Sequence, residues 1–173
     1  MKIKENLDVI VEKYPYADSL NKKLMVEVGE IAAKTNKNHN YYTNIVGTKF
    51  GISDDGPSKL ISNWVVNIIK NKMYNSNSEP IVYDDGMWFA IYDEGDYARS
   101  HHHIPYALFS WVYFVNCPRG SSPLVFTSTN KRIKAEEGKL ILFPSCMKHH
   151  VPKNKCKDRI TLVGNTLPLR GSL

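Results

Sequence analysis

Cysteine is scarce in this chain and poorly spaced for a framework. The three present, Cys117, Cys146 and Cys156, are odd in number and form no C-x-x-C pair. That argues against a disulfide scaffold and against a zinc knuckle, and leaves free thiols. Long hydrophobic runs are missing as well: no apolar stretch approaches the roughly 18 residues a membrane helix needs, so no membrane partner is expected. The opening residues, MKIKENLDVIVEKYPY, carry charge every few positions and offer no apolar segment of the kind a secretory leader uses. Together these absences point to the cytoplasm. A basic block is also lacking. The formal charge of +6 comes from scattered lysines, the ordinary mark of a solvated Lys- and Asn-rich surface, so charge leaves nucleic acid open as a partner without identifying it. No internal repeat or low-complexity tract stands out.

What is present fits one domain spanning 1–173. Hydrophobic residues make up 42% and charged ones 23%, enough apolar material for a real core at this length. The stretch from Asn21 to Lys34 sets Leu24, Val28 and Ile31 at helical spacing. A second helix is predicted over DDGPSKLISNWVVNIIKNKMY, with a Pro suited to a first turn, a stripe of Leu60, Trp64 and Ile68, and Ile61, Val65 and Ile69 beside it. Between them, NHNYYTNIVGTKFGIS is polar, aromatic and Gly-punctuated, a loop or irregular strand that forms one wall of a cleft. After NSNSEP the chain becomes seven or so short aromatic and β-branched runs separated by turn signals, which describes an all-β sandwich or barrel. The fold class is therefore mainly β with N-terminal helices: a helical support region over 1–79 packed on a β core over 80–168.

Five of the six histidines fall in two clusters, SHHHIP and KHHVP, and His39 stands alone. In an extended chain residues two apart share a face, so His101 and His103 point together while His102 points away. The second cluster, at the end of the predicted strand GKLILFP, supplies a third imidazole. Against surface polarity or an expression tag, an internal triple flanked by apolar strand sequence favours a metal. Imidazoles suit Zn, Fe, Ni and Cu alike, and an all-imidazole set leaves positions open for water or substrate, as catalytic sites do. Arg159 adds a second element. In DRITLVGN it shares a face with Thr161 and Val163, and a guanidinium aimed into a cavity beside a metal is a bidentate carboxylate receptor. The blander alternative is a surface ion pair with Asp158 or Glu137.

The ordered set WFAIYDEGDYARSHHHIPYALFSWVYFVNCP, GSSPLVF, EEGKLILFPSCMKHHVPKN and RITLVGN resembles the Fe(II)- and 2-oxoglutarate-dependent oxygenases of the prolyl-hydroxylase-like group, especially small members from phages and bacteria. The resemblance runs from Met87 to Asn165, about half the chain. It implies a double-stranded β-helix, the jelly-roll or cupin-like sandwich, with the metal between two facing sheets. It implies His101 and His149 as iron ligands, Arg159 as the residue holding the 2-oxoglutarate tail, and Thr161 as its hydroxyl companion. His103 stands where most such oxygenases carry Asp or Glu, which leaves the site one unit more positive, and His150 stands where Gly is common. The implied cofactors are Fe(II), 2-oxoglutarate as cosubstrate and O2. The implied reaction hydroxylates a C–H bond of a peptide or protein residue, or of a small molecule, with release of succinate and carbon dioxide.

Tyr92 and Tyr113 flank the histidine clip and are expected to hydrogen-bond the cosubstrate or wall the cleft, with core packing as the commoner role for such aromatics. Trp88, Phe89, Phe109, Trp111 and Phe114 alternate around the clip and can line the sandwich interior on one side, with ordinary core packing the role expected of most of them. Gly138 is expected to close a turn, and Pro144 to end a strand just before the distal histidine. A cupin shares the Gly-to-histidine spacing of GDYARSHHH but places a glutamate soon after its second histidine, where this chain reads IPYALFS. A non-enzymatic, metal-stabilised interaction module is the third reading. Unpaired sandwich edges make a homodimer plausible.

Overall fold

A computed structural model describes residues 7–32, 42–48, 55–73 and 82–168, with 82–85 described through their backbone. Among the described residues, ten strands form two antiparallel sheets. The larger runs β1 (Ile10–Lys13), β8 (Lys139–Pro144), β5 (Phe109–Asn116), β10 (Arg159–Pro168), β3 (Val82–Tyr92), β2 (Val46–Thr48) in spatial order, and the smaller runs β4 (Ala98–His101), β9 (His149–Val151), β6 (Leu124–Phe126), β7 (Lys131–Ile133). This arrangement of facing sheets is the expected jelly-roll core. The N-terminal part, expected to be helical support, also supplies both edge strands of the larger sheet. A four-residue strand with an alternating burial pattern, IVEK, is too short to be distinguished by periodicity alone.

Helix α1 (Ala17–Ala32) begins four residues earlier than expected and buries Leu20, Leu24, Val28 and Ile31 along one stripe. Two polar residues on that stripe are satisfied: Asn21 Nδ2 donates to Val115 O at 2.7 Å, and Glu27 accepts from Ser58 N at 3.1 Å and from Ser58 Oγ at 2.7 Å. Helix α2 (Pro57–Ile68) has Gly56 at its N-cap, with no side-chain cap of its own. Glu27 therefore does from α1 what a capping side chain would do, pairing an orphan first-turn N–H and docking the two helices. Ile61, Val65, Ile68 and Ile69 are buried while Leu60 is half exposed. The buried face is thus centred on the second of the two expected stripes.

Period-two alternation divides the aromatic residues between two cores. Trp111, Tyr113 and Val115 of β5, with Phe89 of β3 and Ile160 and Leu162 of β10, face the helices, and Phe109 packs against that cluster. Phe114 and Val112 face the smaller sheet, and Trp88 and Val163 pack there. Of the five aromatics, Trp88 and Phe114 face the smaller sheet, whereas Phe89, Phe109 and Trp111 pack as core on the helical face, with Trp111 also bordering the space between the sheets.

Gly138 adopts φ +79° in the turn entering β8, as expected, and Pro144 is the last residue of that strand. Gly164 is required for a different reason. A Cβ there would stand 2.4 Å from Trp111 Cζ2, and the indole is 1% exposed with nowhere to retreat. Gly164→Ala should lower stability by about 1–3 kcal/mol, the usual cost of overpacking, measured by urea denaturation. An unchanged midpoint would mean that the indole relocates freely.

Candidate functional site

A cavity of about 150 Å³ lies between the sheets. Three imidazoles occupy one part of it. His101 ends β4, His149 opens β9, and the two are register partners. His103 lies beyond the strand end, where its N–H donates to Ser145 O at 2.9 Å and its carbonyl accepts from Tyr106 N at 3.0 Å and Ala107 N at 3.1 Å. The simple extended clip is thus modified by a turn, yet the three side chains meet. Ring centroids stand 5.0 Å (His101 to His103), 4.4 Å (His101 to His149) and 5.3 Å (His103 to His149) apart, and the candidate ligand atoms all lie within 4.8 Å of one another. His102 is exposed and His150 half-buried, its Nδ1 3.2 Å from Thr127 Oγ1. Neither belongs to the cluster.

The donor chemistry fits a metal. His101 Nδ1 lies 2.7 Å from Arg99 O and His149 Nδ1 lies 2.9 Å from Met147 O. A carbonyl only accepts, so each ring carries its proton on Nδ1 and keeps the Nε2 lone pair for a ligand bond. Burial, followed by the neighbouring His101, holds the pKa of His149 down to about 3, and burial lowers His101 as well. Neutral rings with a free lone pair are the form a divalent cation binds. Among the described residues no carboxylate lines the cavity.

Arg159 opens β10 and is 1% exposed. Its Nε donates to Ser122 O at 2.9 Å, while Nη1 and Nη2 are buried and make no close hydrogen bond among the described residues, with the Tyr92 side chain as a weaker polar contact of the guanidinium. The surface ion pair with Asp158 or Glu137 does not form. The guanidinium carbon sits 4.5 Å from the Tyr92 ring centroid and 5.4 Å from that of Phe114. Desolvation pushes the guanidinium pKa down and the Tyr92 phenol up, and the cation pulls the phenol partly back. Thr161, two residues on and 1% exposed, also lines the cavity, its Oγ1 3.5 Å from Ala90 O.

Tyr92 lies against the guanidinium and on the cavity wall. Tyr113 does not. Strand alternation turns it to the helical face, where its hydroxyl donates to Asn21 Oδ1 at 2.7 Å. It is a packing residue and takes no part in the cavity.

The expected wall between the helices holds for the described part of that segment. Tyr42, Thr43 and Ile45 line the cavity, and the segment is stitched to β4 by Arg99 N to Tyr42 O at 2.7 Å and a bridge between Thr43 and Ala98. His39 and the flanks of this segment lie outside the described residues. Sequence reasoning missed Asn154, which is 2% exposed. Its Oδ1 accepts from Ser122 N at 3.0 Å and its Nδ2 donates to Cys156 O at 2.7 Å, holding the peptide that fixes Arg159 Nε. An asparagine in the Lys-rich turn PKNKCKD gives no signal of burial. The cysteines are free, as expected, and burial pushes Cys117 up to about 12.

No protein-family model and no curated protein matches the chain by sequence. Solved structures match it by fold. A viral collagen prolyl hydroxylase from Paramecium bursaria Chlorella virus-1, in complex with 2-oxoglutarate, superposes with a TM-score of 0.70 at 12% identity, covering 94% of this chain and 96% of that one. A Pseudomonas putida prolyl-4-hydroxylase gives 0.70 at 17%, covering 94% and 93%. A Trichoplax adhaerens prolyl hydroxylase bound to a hypoxia inducible factor peptide fragment gives 0.68 at 13%, covering 91% and 82%. The chain has the double-stranded β-helix fold that these enzymes share. Among the described residues no helix is long and apolar enough to cross a membrane.

Proposed function

We propose that this protein is an Fe(II)- and 2-oxoglutarate-dependent oxygenase that hydroxylates a C–H bond, with a peptide or protein residue as the first substrate class and a small molecule as the second. One observation carries the reading: a fully buried guanidinium with two nitrogens that make no close hydrogen bond among the described residues faces the same 150 Å³ cavity as three clustered imidazoles. Burying unsatisfied N–H groups on a cation is costly and is sustained where a ligand compensates it. An anionic chain with a carboxylate at one end and metal-chelating oxygens at the other meets both requirements. The solved neighbours, hydroxylases by description, support the same reading.

His101, His103 and His149 would hold the iron. The bound metal supplies oxidation of the substrate C–H by dioxygen, coupled to decarboxylation of 2-oxoglutarate to succinate and carbon dioxide. The protein's own residues do the rest. Arg159 and Thr161 orient the cosubstrate tail, Tyr92 and Phe114 keep the guanidinium in place, and the apolar walls from Ile45, Leu124 and Val112 exclude water. With His103 in place of a carboxylate, no acid among the described residues of the cavity wall would offset the metal's charge, which favours an anionic cosubstrate.

Anaerobic addition of Fe(II) and then 2-oxoglutarate to metal-free protein should produce the weak visible charge-transfer band of a chelated 2-oxo acid. Iron binding without the band would favour a cupin-type metal enzyme. Tight zinc whose removal melts the protein, with no response to 2-oxoglutarate, would favour a structural module.

A further inference from the structure

Lysine and arginine are scattered along the chain but unevenly shared within the fold. The 61 residues from Tyr97 to Lys157 hold ten of them against two acids, a net of +8, whereas the remaining 112, with thirteen and fifteen, carry −2. This segment supplies every strand of the smaller sheet. Its two acids are engaged: Glu136 pairs with Lys13 at 3.3 Å and Lys139 at 3.0 Å, and Glu137 accepts the N–H of Cys117 at 3.0 Å. The Lys-rich turn 152–158 is bonded to the acidic turn 93–96, through Gly95 N to Asn154 O at 2.9 Å and Asn154 N to Asp96 O at 2.7 Å, so acids offset the charge there. On the outer side of the smaller sheet nothing comparable does.

Register shows which side chains share that side. Val125 of β6 is paired with both His150 of β9 and Arg132 of β7, and directly opposed residues of a sheet point the same way. His149 and Val151 line the cavity and Ile133 packs on the inner cluster. His150 and Arg132 therefore stand on the outer side, two strand spacings or about 10 Å apart at the backbone. Side chains from β4, β9 and the turn after β6 meet beside them: Thr127 Oγ1 lies 2.7 Å from Ser100 Oγ and 3.2 Å from His150 Nδ1. Lys148 is joined to the same turn, its carbonyl accepting the Thr127 N–H at 2.8 Å. Lys131, Arg132 and Lys148 are exposed and make no ion pair among the described residues.

The chemistry of this face selects a class of partner. Val125, the apolar residue between His150 and Arg132, is 0% exposed, and none of the large hydrophobic side chains exposed among the described residues belongs to β9, β6, β7 or the 127–130 turn. A protein interface is built on an apolar core and a membrane surface takes an apolar wedge. This face offers neither. Guanidinium, ammonium, hydroxyl and imidazole groups on a polar surface are instead the set that contacts phosphate oxygens. Cations spread over two strand spacings suit a polymer that repeats its charge, and in duplex DNA one charge falls about every 1.7 Å of axis.

We infer that the outer face of the smaller sheet, formed by Lys131, Arg132 and Lys148 around the Ser100, Thr127 and His150 side chains, docks the phosphate backbone of a nucleic acid without regard to base sequence. His149 and His150 are neighbours that point to opposite sides of the sheet, so this surface lies behind the metal cluster and is separate from the cavity. The inference goes beyond the oxygenase reading and does not depend on it.

The test titrates a short labelled DNA duplex of random sequence with the full chain, read by fluorescence anisotropy at about 50 and about 200 mM salt. Three phosphate contacts, from Lys131, Arg132 and Lys148, give a log–log salt slope of about −2.7, a loss of roughly fortyfold in affinity over that range. Arg132→Glu combined with Lys148→Glu should weaken binding at least about tenfold at the lower salt and flatten the slope to about −0.9. Lys22→Glu combined with Lys23→Glu makes the same change in net charge at exposed positions of α1 and should leave affinity within about threefold, because salt screens charges distant from the contact. Both pairs should melt within a few degrees of wild type. If the first melts earlier, Arg132→Gln with Lys148→Gln reads the same loss of contacts without reversed charge. Three outcomes overturn the inference: no duplex binding at the lower salt, equal losses in the two Glu pairs, which would assign binding to net charge alone, or an acidic polypeptide or phosphatidylserine-containing vesicles binding as tightly as the duplex, which would assign the face to another class of partner.

Discussion

Arg159→Met is expected to abolish 2-oxoglutarate binding while raising the melting temperature of the metal-free protein. The two effects have one cause. The guanidinium is 1% exposed, makes one hydrogen bond through Nε, and among the described residues leaves Nη1 and Nη2 without a close hydrogen bond, with the Tyr92 and Phe114 rings beside it. Replacing such a buried, uncompensated charge by a side chain of similar volume is stabilising by about 1–4 kcal/mol. Loss of the Nε bond to Ser122 O offsets roughly 1 kcal/mol of that. The remainder corresponds to a rise of a few degrees in a chain of this size, at about 2–4 °C per kcal/mol. Binding moves the other way. Two charge-assisted hydrogen bonds to a carboxylate, at about 1.5–3 kcal/mol each, amount to a loss of roughly 10²- to 10⁴-fold in affinity. Calorimetric melting of the metal-free variant and titration of the charge-transfer band with 2-oxoglutarate read the two halves separately. A destabilised variant that retained the band would remove Arg159 from the role of carboxylate receptor.

His149→Ala should remove the stabilisation that a divalent metal gives the wild-type protein. A ligand present at 100 times its Kd raises stability by about 2.7 kcal/mol, and loss of one of three protein donors should raise the Kd by more than the roughly 10- to 100-fold that loss of an outer hydrogen-bond partner costs. The thermal shift on adding Co(II) or Fe(II) should therefore vanish in His149→Ala and persist in His102→Ala, whose side chain is exposed and outside the cluster. His149 also packs edge-on to Phe143, with centroids 4.8 Å apart. The metal-free melting curve of His149→Ala is thus the needed baseline. If His102→Ala lost the shift as completely, the assignment of ligands across the β4 and β9 pair would be wrong.

The histidine cluster shows how far local pattern reaches. Spacing of two in an extended run predicts His101 and His103 on one side with His102 on the other; the structure keeps that outcome although β4 ends at His101 and a turn holds His103. Alternation places Arg159 on one face with Thr161 and Val163, which favours an inward guanidinium; that this face meets the smaller sheet came from the tertiary structure, since the other face of β10 is buried too. Tyr113 marks the limit of the method. Alternation along β5 says that Tyr113 and Phe114 face opposite ways, but both faces of this strand are buried, one against helices and one against the smaller sheet. A strand covered on both sides has no polar face to show which direction leads to the site.

Other parts of the site had no local signature. Asn154 and Ser110 are short polar residues whose burial depends on segments far away in the chain: Asn154 meets Ser122 across 32 positions, and Ser110 meets Asn165 across 55. The edge strand Ile10–Lys13 is extended because β8 is there to pair with it, from Ile10 opposite Leu142 to Lys13 opposite Lys139.

By itself, then, the amino-acid sequence determined the periods: which segments coil or extend, which residues share a face, and that imidazoles and a guanidinium are placed to turn inward. Only the tertiary structure decided what each face meets: that His149 is register partner to His101, that Arg159 keeps two nitrogens without a close hydrogen bond, that Tyr113 belongs to the helices and that Arg132 shares an outer face with His150. The division has a physical reason. Facing is set by dihedral angles within a few residues, whereas neighbours are set by pairing and packing between strands distant in the chain, which no local pattern encodes.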